Sequence, residues 1–144
     1  VSMGASTVMM TAGEDLPENV KAAIEDCGYA SVSEEFEYQL EQLYHIPSFP
    51  VLNFASAVTK IRAGYSFGEA DAVKQLKKAE VPILFIHGDQ DTFVTSEMLE
   101  EVYEAASSEK EKYVVKGAGH SMAAIVAGDE YWQRVFQFVD KYLE

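Results

Sequence analysis

The stretch Val81-Pro82-Ile83-Leu84-Phe85-Ile86-His87-Gly88-Asp89-Gln90-Asp91-Thr92-Phe93-Val94 decides how this chain is read. Val81 to Ile86 is a continuous apolar run of strand length. A strand without polar alternation is one covered on both faces, the pattern of a parallel sheet. Gly88 ends the run, and a polar turn rich in carboxylates follows.

On either side of this strand the pattern turns helical. Ala72 to Ala79 reads as a short helix before it. After it, Met98, Leu99, Val102, Tyr103 and Ala106 mark one face of a helix that Thr95 or Ser96 can cap, with Glu97 in the first turn to favour the dipole. Lys112 to Lys116 is the next strand. The amphipathic segment through Trp132, Val135, Phe136, Val139 and Leu143 is a last helix whose apolar stripe must lie on something. Upstream, Met3 to Ala12 is a buried helix stopped by Gly13, Leu16 to Asn19 is a loop, and Val20 to Glu25 is a short strand running into Asp26-Cys27-Gly28. Val32, Phe36, Leu40, Leu43 and Tyr44 fall at helical spacing, and Val51 to Ile61 continues as a second helix after Pro47 and Pro50. Residues 29–70 therefore read as a helical insertion. Strands separated by helices over these lengths imply parallel pairing. The expected fold is α/β, a three-layer sandwich with a parallel sheet between helices.

Composition narrows the partners. The chain has 144 residues, 48% of them apolar and 24% charged, which fits one ordinary domain with a real core. Eleven basic against 24 acidic residues give a net charge of −13, which repels polyphosphate and argues against nucleic acid and anionic membranes as partners. No apolar run approaches the roughly 18 residues of a membrane span. The lone Cys27 cannot form an internal disulfide, and with His45, His87 and His120 widely spaced it offers no zinc pattern. A reducing, cytoplasmic setting is the expectation. The chain opens at Val1 without a polar, capped lead-in, so an upstream part is expected to be missing.

In open parallel sheets, ligands gather beyond the carboxyl ends of the strands. The loops after Glu25, Ile86 and Val115 share that rim and carry Asp26, Asp91 and His120; the helix starting near Met3 brings Ser2 there too. Val1-Ser2-Met3-Gly4 at the head of a helix, Gly88-Asp89-Gln90-Asp91 after a strand and Gly117-Ala118-Gly119-His120-Ser121 after the next resemble the serine hydrolases of the α/β-hydrolase fold, bacterial esterases and peptidase-like members above all. Their order of nucleophile, acid and histidine is kept. Of their Gly-x-Ser-x-Gly motif, only x-Ser-x-Gly is present.

The resemblance covers the whole chain as the C-terminal half of such an enzyme, with residues 29–70 as its helical lid. It implies Ser2 as nucleophile, Asp91 as acid, His120 as base and the Met3 amide as one oxyanion donor; the second donor belongs to an upstream loop. Each role has a plainer rival. Ser2 serves equally as a helix N-cap, Asp89 shares the turn with Asp91, and Asp26 follows the preceding strand, where some relatives carry the acid. His120, flanked by Gly119 and Ser121 in a loop, has no packing role to explain it, whereas His45 and His87 read as structural and Cys27 as a small buried residue with no histidine beside it. The implied activity is hydrolysis of a carboxylic ester, with amide or thioester behind it, needing no metal or organic cofactor. Implied partners are a small ester substrate and either the missing half or a second copy; the substrate-binding residues stay open. The alternative is a non-catalytic α/β binding module that keeps the fold without the chemistry.

Overall fold

The structure, a computed structural model, describes residues 1–143. Its elements are α1 (Met3–Ala12), β1 (Ala23–Asp26), α2 (Val32–Tyr44), α3 (Ser48–Ala63), a 3-10 turn (Phe67–Glu69), α4 (Ala72–Leu76), β2 (Ile83–Gly88), α5 (Ser96–Ala105), β3 (Lys110–Val115), α6 (Ala123–Ala127) and α7 (Asp129–Asp140). The strands form one parallel sheet in the order β1-β2-β3. Every residue of β2 is buried, as its unbroken apolar run requires.

Side-chain alternation along β2 splits the core in two. Ile83 and Phe85 pack with Met9 and Ala12 of α1, Leu76 of α4, and Met98, Leu99 and Val102 of α5. Leu84 and Ile86 face the other way, onto Val115, Ala123, and Tyr131, Val135 and Phe138 of α6 and α7. Helices therefore cover both faces, giving the expected three layers. Register extends this sidedness to β1. Glu25 pairs with Phe85 and shares the α1 side, while Asp26 pairs with Ile86 and faces α7.

Several expectations need correction. The first strand starts at Ala23 rather than Val20. By contrast, the helix expected over Val51 to Ile61 is found within α3, whose regular part begins after Phe49, an extended residue (φ −87°, ψ 134°) that precedes Pro50. Thr95 occupies the N-cap of α5, yet its side chain accepts no capping hydrogen bond. On α7 the buried face is Tyr131, Val135 and Phe138, whereas Trp132 and Phe136 are 53% and 59% exposed and Leu143 is exposed as well. A helix turns about 100° per residue, so the stripe read from the sequence lies beside the one that meets the sheet. In α2 the buried residue is Glu35, while Phe36, Leu43 and Tyr44 are exposed.

Two features tie the fold to the strand-end rim. A Cβ on Gly88 would collide with the Ala118 carbonyl, so glycine lets the end of β2 lie against the loop that follows β3. Glu25, fully buried under α1, accepts the Gly28 amide at 2.9 Å through Oε2, and its Oε1 has no partner. Desolvation pushes its carboxyl from 4.5 to about 8, the Gly28 hydrogen bond opposing the rise. The folded protein thus holds this proton more tightly than the unfolded chain.

Gly88→Ala is expected to destabilise the protein by about 1–3 kcal/mol through overpacking, read from the urea midpoint. Glu25 sets the sign of a pH effect. Its contribution is complete below the ordinary carboxylate range and is lost as pH rises through about 8. Urea unfolding across that window should show stability falling with pH, and Glu25→Gln should flatten the slope.

Candidate active site

Ser2 stands where α1 begins, with φ 54° and ψ −124°. For a non-glycine residue this is a strained backbone costing about 1–3 kcal/mol. Local bonds hold it: the Ser2 amide donates to the Asp26 carbonyl at 2.8 Å, and the Ala5 and Ser6 amides donate to the Ser2 carbonyl at 2.8 and 3.1 Å. The Ser2 side chain makes no capping bond. Its Oγ instead lies 2.8 Å from His120 Nε2, so Ser2 holds the N-cap position of α1 without capping it through its side chain. With the Gly4 amide bonded to the Val1 carbonyl, the Met3 amide has no backbone acceptor among the described residues.

Asp91 follows the end of β2. Its side chain is inaccessible to solvent, and Oδ1 accepts the Phe93 and Val94 amides at 2.9 Å each. Those two bonds aim Oδ2 outward, where it meets His120 Nδ1 at 2.8 Å. A proton on Nδ1 donated to the carboxylate leaves the Nε2 lone pair facing the Ser2 hydroxyl. The Phe93 ring lies 4.8 Å, centre to centre, from the imidazole. His87, buried beneath, bonds through Nε2 to the Val94 carbonyl at 2.9 Å and sits 3.6 Å from Asp91 Oδ2, a structural place.

The rival acids are engaged elsewhere. Asp89 Oδ1 accepts the Gly117 amide at 2.6 Å, tying the two loops together. Asp26 accepts the Tyr131 hydroxyl at 2.9 Å on the α7 side of the sheet. Burial raises its pKa, with the Tyr131 bond opposing. His45 caps the end of α2 in a left-handed conformation and is exposed.

Sequence reasoning missed several neighbours. Cys27, expected to have no histidine beside it, lies with Asp91 and His120 so that one ligand atom of each falls within 4.8 Å of the others. Its Sγ is 3.5 Å from Ser121 Oγ. Burial pushes its thiol up, so it keeps its proton at neutral pH. Cys27 and Ser121 share the positive φ of Ser2, at 52° and 59°; no spacing in the sequence announces this. Glu35 of α2 is 4% exposed with an unpartnered Oε2, and its charge acts on both His120 and Asp91. Burial raises its pKa first of all. Finally, Gln39 Nε2 donates to Glu35 Oε1 and to the Phe93 carbonyl at 2.8 Å each, and the Tyr38 hydroxyl donates to the Thr92 carbonyl at 3.0 Å. These bonds fasten α2 to the Asp91 turn. The signal for them was a charged residue inside an otherwise amphipathic helix, which periodicity discounts.

Known proteins share this framework. Solved structures superpose on nearly the whole chain at low identity: an esterase from Pyrococcus furiosus, with a TM-score of 0.70 and 19% identity over 99% of this chain and 52% of its own, and an acylaminoacyl peptidase from Pyrococcus horikoshii, with a TM-score of 0.72 and 15% identity over 99% of this chain and 23% of its own. An uncharacterized Bacillus subtilis protein, YqkD, is 32% identical over 139 residues, or 96% of this chain and 46% of that protein. The chain thus spans about half the length of that relative and of the Pyrococcus furiosus esterase. Residues 53–124, half of the chain and including Asp91 and His120, match the family described as serine aminopeptidase, S33. The chain belongs to that family of α/β-hydrolases.

Proposed function

We propose that Ser2, His120 and Asp91 are the nucleophile, base and acid of a serine hydrolase that cleaves a carboxylic ester. The observation that carries this reading is the continuous line from Ser2 Oγ to His120 Nε2 and from Nδ1 to Asp91 Oδ2, both links at 2.8 Å. His120 takes the Ser2 proton as Oγ attacks the carbonyl carbon, and Asp91 stabilises the imidazolium that results. The tetrahedral oxyanion points at the Met3 amide, free of backbone bonds at the positive end of α1. On collapse, His120 returns the proton to the departing alkoxide and leaves an acyl-serine. Water, deprotonated by the same imidazole, then attacks the acyl carbon; Ser2 recovers its proton, and the acid is released.

The insertion at 29–70 is proposed as the lid over this site. Phe49, Phe54, Val58 and Ile61 are exposed on α3, an apolar surface suited to a hydrophobic acyl or alcohol group. An ester ranks above an amide or thioester on resemblance. The structural neighbours include both an esterase and a peptidase.

The second oxyanion donor is proposed to come from residues that precede this chain in a longer protein. The outer edge of β1 is unpaired among the described residues except where Ser2 bonds Asp26, so a strand leading into Ser2 has a place beside it. An open edge seeks a partner.

In the complete protein, Ser2→Ala and His120→Ala should each lower ester turnover by roughly three orders of magnitude or more, with the double variant little worse, because residues acting as one unit are not additive. Independent, additive losses would count against the triad. Asp91→Asn should cripple turnover, while Asp89→Asn and Asp26→Asn are milder. Residues 1–144 alone should be essentially inactive, since one oxyanion donor alone is worth about 100- to 1000-fold, and should associate in solution. Light scattering and a chromogenic ester assay test this together; an active, strictly monomeric product would contradict it.

A further inference from the structure

Cys27, Asp91 and His120 come from the ends of three different strands, yet one ligand atom of each lies within 4.8 Å of the others. Thiolate, carboxylate and imidazole are the donors that borderline divalent cations such as zinc select, whereas calcium and magnesium prefer all-oxygen sets. We propose that these three side chains form a binding site for a zinc-like divalent cation, and that its occupation disconnects Ser2 from its base. The proposal rests on the hydrolase reading only for its effect on turnover.

Charge favours it. Thiolate and carboxylate together carry two negative charges, and a neutral imidazole completes a set that a divalent ion neutralises, which removes most of the cost of burying the ion. Glu35 adds to the attraction: its 4% exposed carboxyl has an unpartnered oxygen and acts electrostatically on both His120 and Asp91. Asp26 lies next in sequence to Cys27, with a second unpartnered buried oxygen.

Geometry permits it. A tetrahedral ion with bonds of about 2.0–2.3 Å holds its ligands roughly 3.3–3.8 Å apart, within the 4.8 Å limit that already bounds these ligand atoms, so small side-chain shifts bring them into range. Cys27 is 1% exposed and fixed at the end of β1. His120 is the adjustable member, with 23% of its side chain exposed in a loop between Gly119 and Ser121. On binding, the Cys27 proton passes to solvent and an Sγ–metal bond forms; no oxidation is involved. Whichever imidazole nitrogen is taken, the relay is lost. Coordination at Nε2 removes the acceptor for the Ser2 proton, and coordination at Nδ1 replaces the bond to Asp91. The site is therefore inhibitory.

Titrating the complete protein with cobalt(II), in a non-thiol reductant, reads the site without any need for turnover. One cobalt per chain is expected, with the intense thiolate-to-metal absorption of a cobalt–cysteine bond, displaced by zinc. Cys27→Ser should abolish the thiolate band. His120→Ala should weaken binding at least about ten-fold, since a lost ligand costs no less than a lost second-shell partner. Ser2→Ala and His45→Ala should bind as well as the parent, which separates this proposal from the hydrolase reading. Circular dichroism confirms that each variant is folded. Absence of a thiolate band in the parent, or equal affinity in folded Cys27→Ser or His120→Ala, would overturn the proposal.

Discussion

The hydrogen bond from the Ser2 amide to the Asp26 carbonyl, 2.8 Å long, is the constraint on which the site depends. It pins the first residue of α1 to the end of β1 and keeps Ser2 at a φ of 54°, a conformation that an unrestrained serine rarely adopts. Because the backbone turns that sharply, the side chain leaves the capping position and reaches His120. The strain is stored locally and offset by the packing of α1, whose Ala5, Met9 and Ala12 are buried.

The same economy governs the other two strand ends. β2, buried along its length, delivers both His87 and the turn that holds Asp91. Two amides fix one oxygen of that carboxylate, so the other has a single direction to point. The loop after β3 is drawn in by the close approach at Gly88 and by the Gly117 amide bonding Asp89. Neither contact touches Ser2, yet both set where the imidazole lies. Three non-glycine residues with positive φ, Ser2, Cys27 and Ser121, border the same point. Such clustering marks a place where position outweighs backbone comfort. α2 adds one more tether, since Tyr38 and Gln39 grip the main chain on either side of the bond between Thr92 and Phe93.

What the sequence revealed follows from which patterns are periodic. The uninterrupted run at Val81–Ile86 announced a strand buried on both faces, and the alternation of strands with helices announced the parallel sheet. Ser2, Asp91 and His120 were legible because each sits at a strand-end loop in an order that a resemblance made meaningful; periodicity alone left Asp89 and Asp26 open. Register turns Asp26 toward Tyr131, on the opposite side of the sheet from Glu25, and Asp89 is bonded to the Gly117 amide, whereas Asp91 meets His120. Hydrophobic spacing failed where the buried face was mixed. In α2 the inward residue is the charged Glu35, and in α7 the exposed Trp132 and Phe136 outweigh in hydropathy the Tyr131 that meets the core. The place of Cys27 beside His120 was invisible, because proximity across separate strands leaves no trace in a single sequence.

The central claim is that Ser2 is an activated nucleophile, and its reaction with a fluorophosphonate tests this most directly. Treating the complete protein with the probe and mapping the adduct by peptide mass spectrometry should place a single phosphonyl group on Ser2. Prior replacement of His120 by alanine should suppress the adduct, because a hydroxyl without its base attacks phosphorus slowly. Labelling no faster than that of other serines, or labelling of Ser2 unchanged by the loss of His120, would contradict the account.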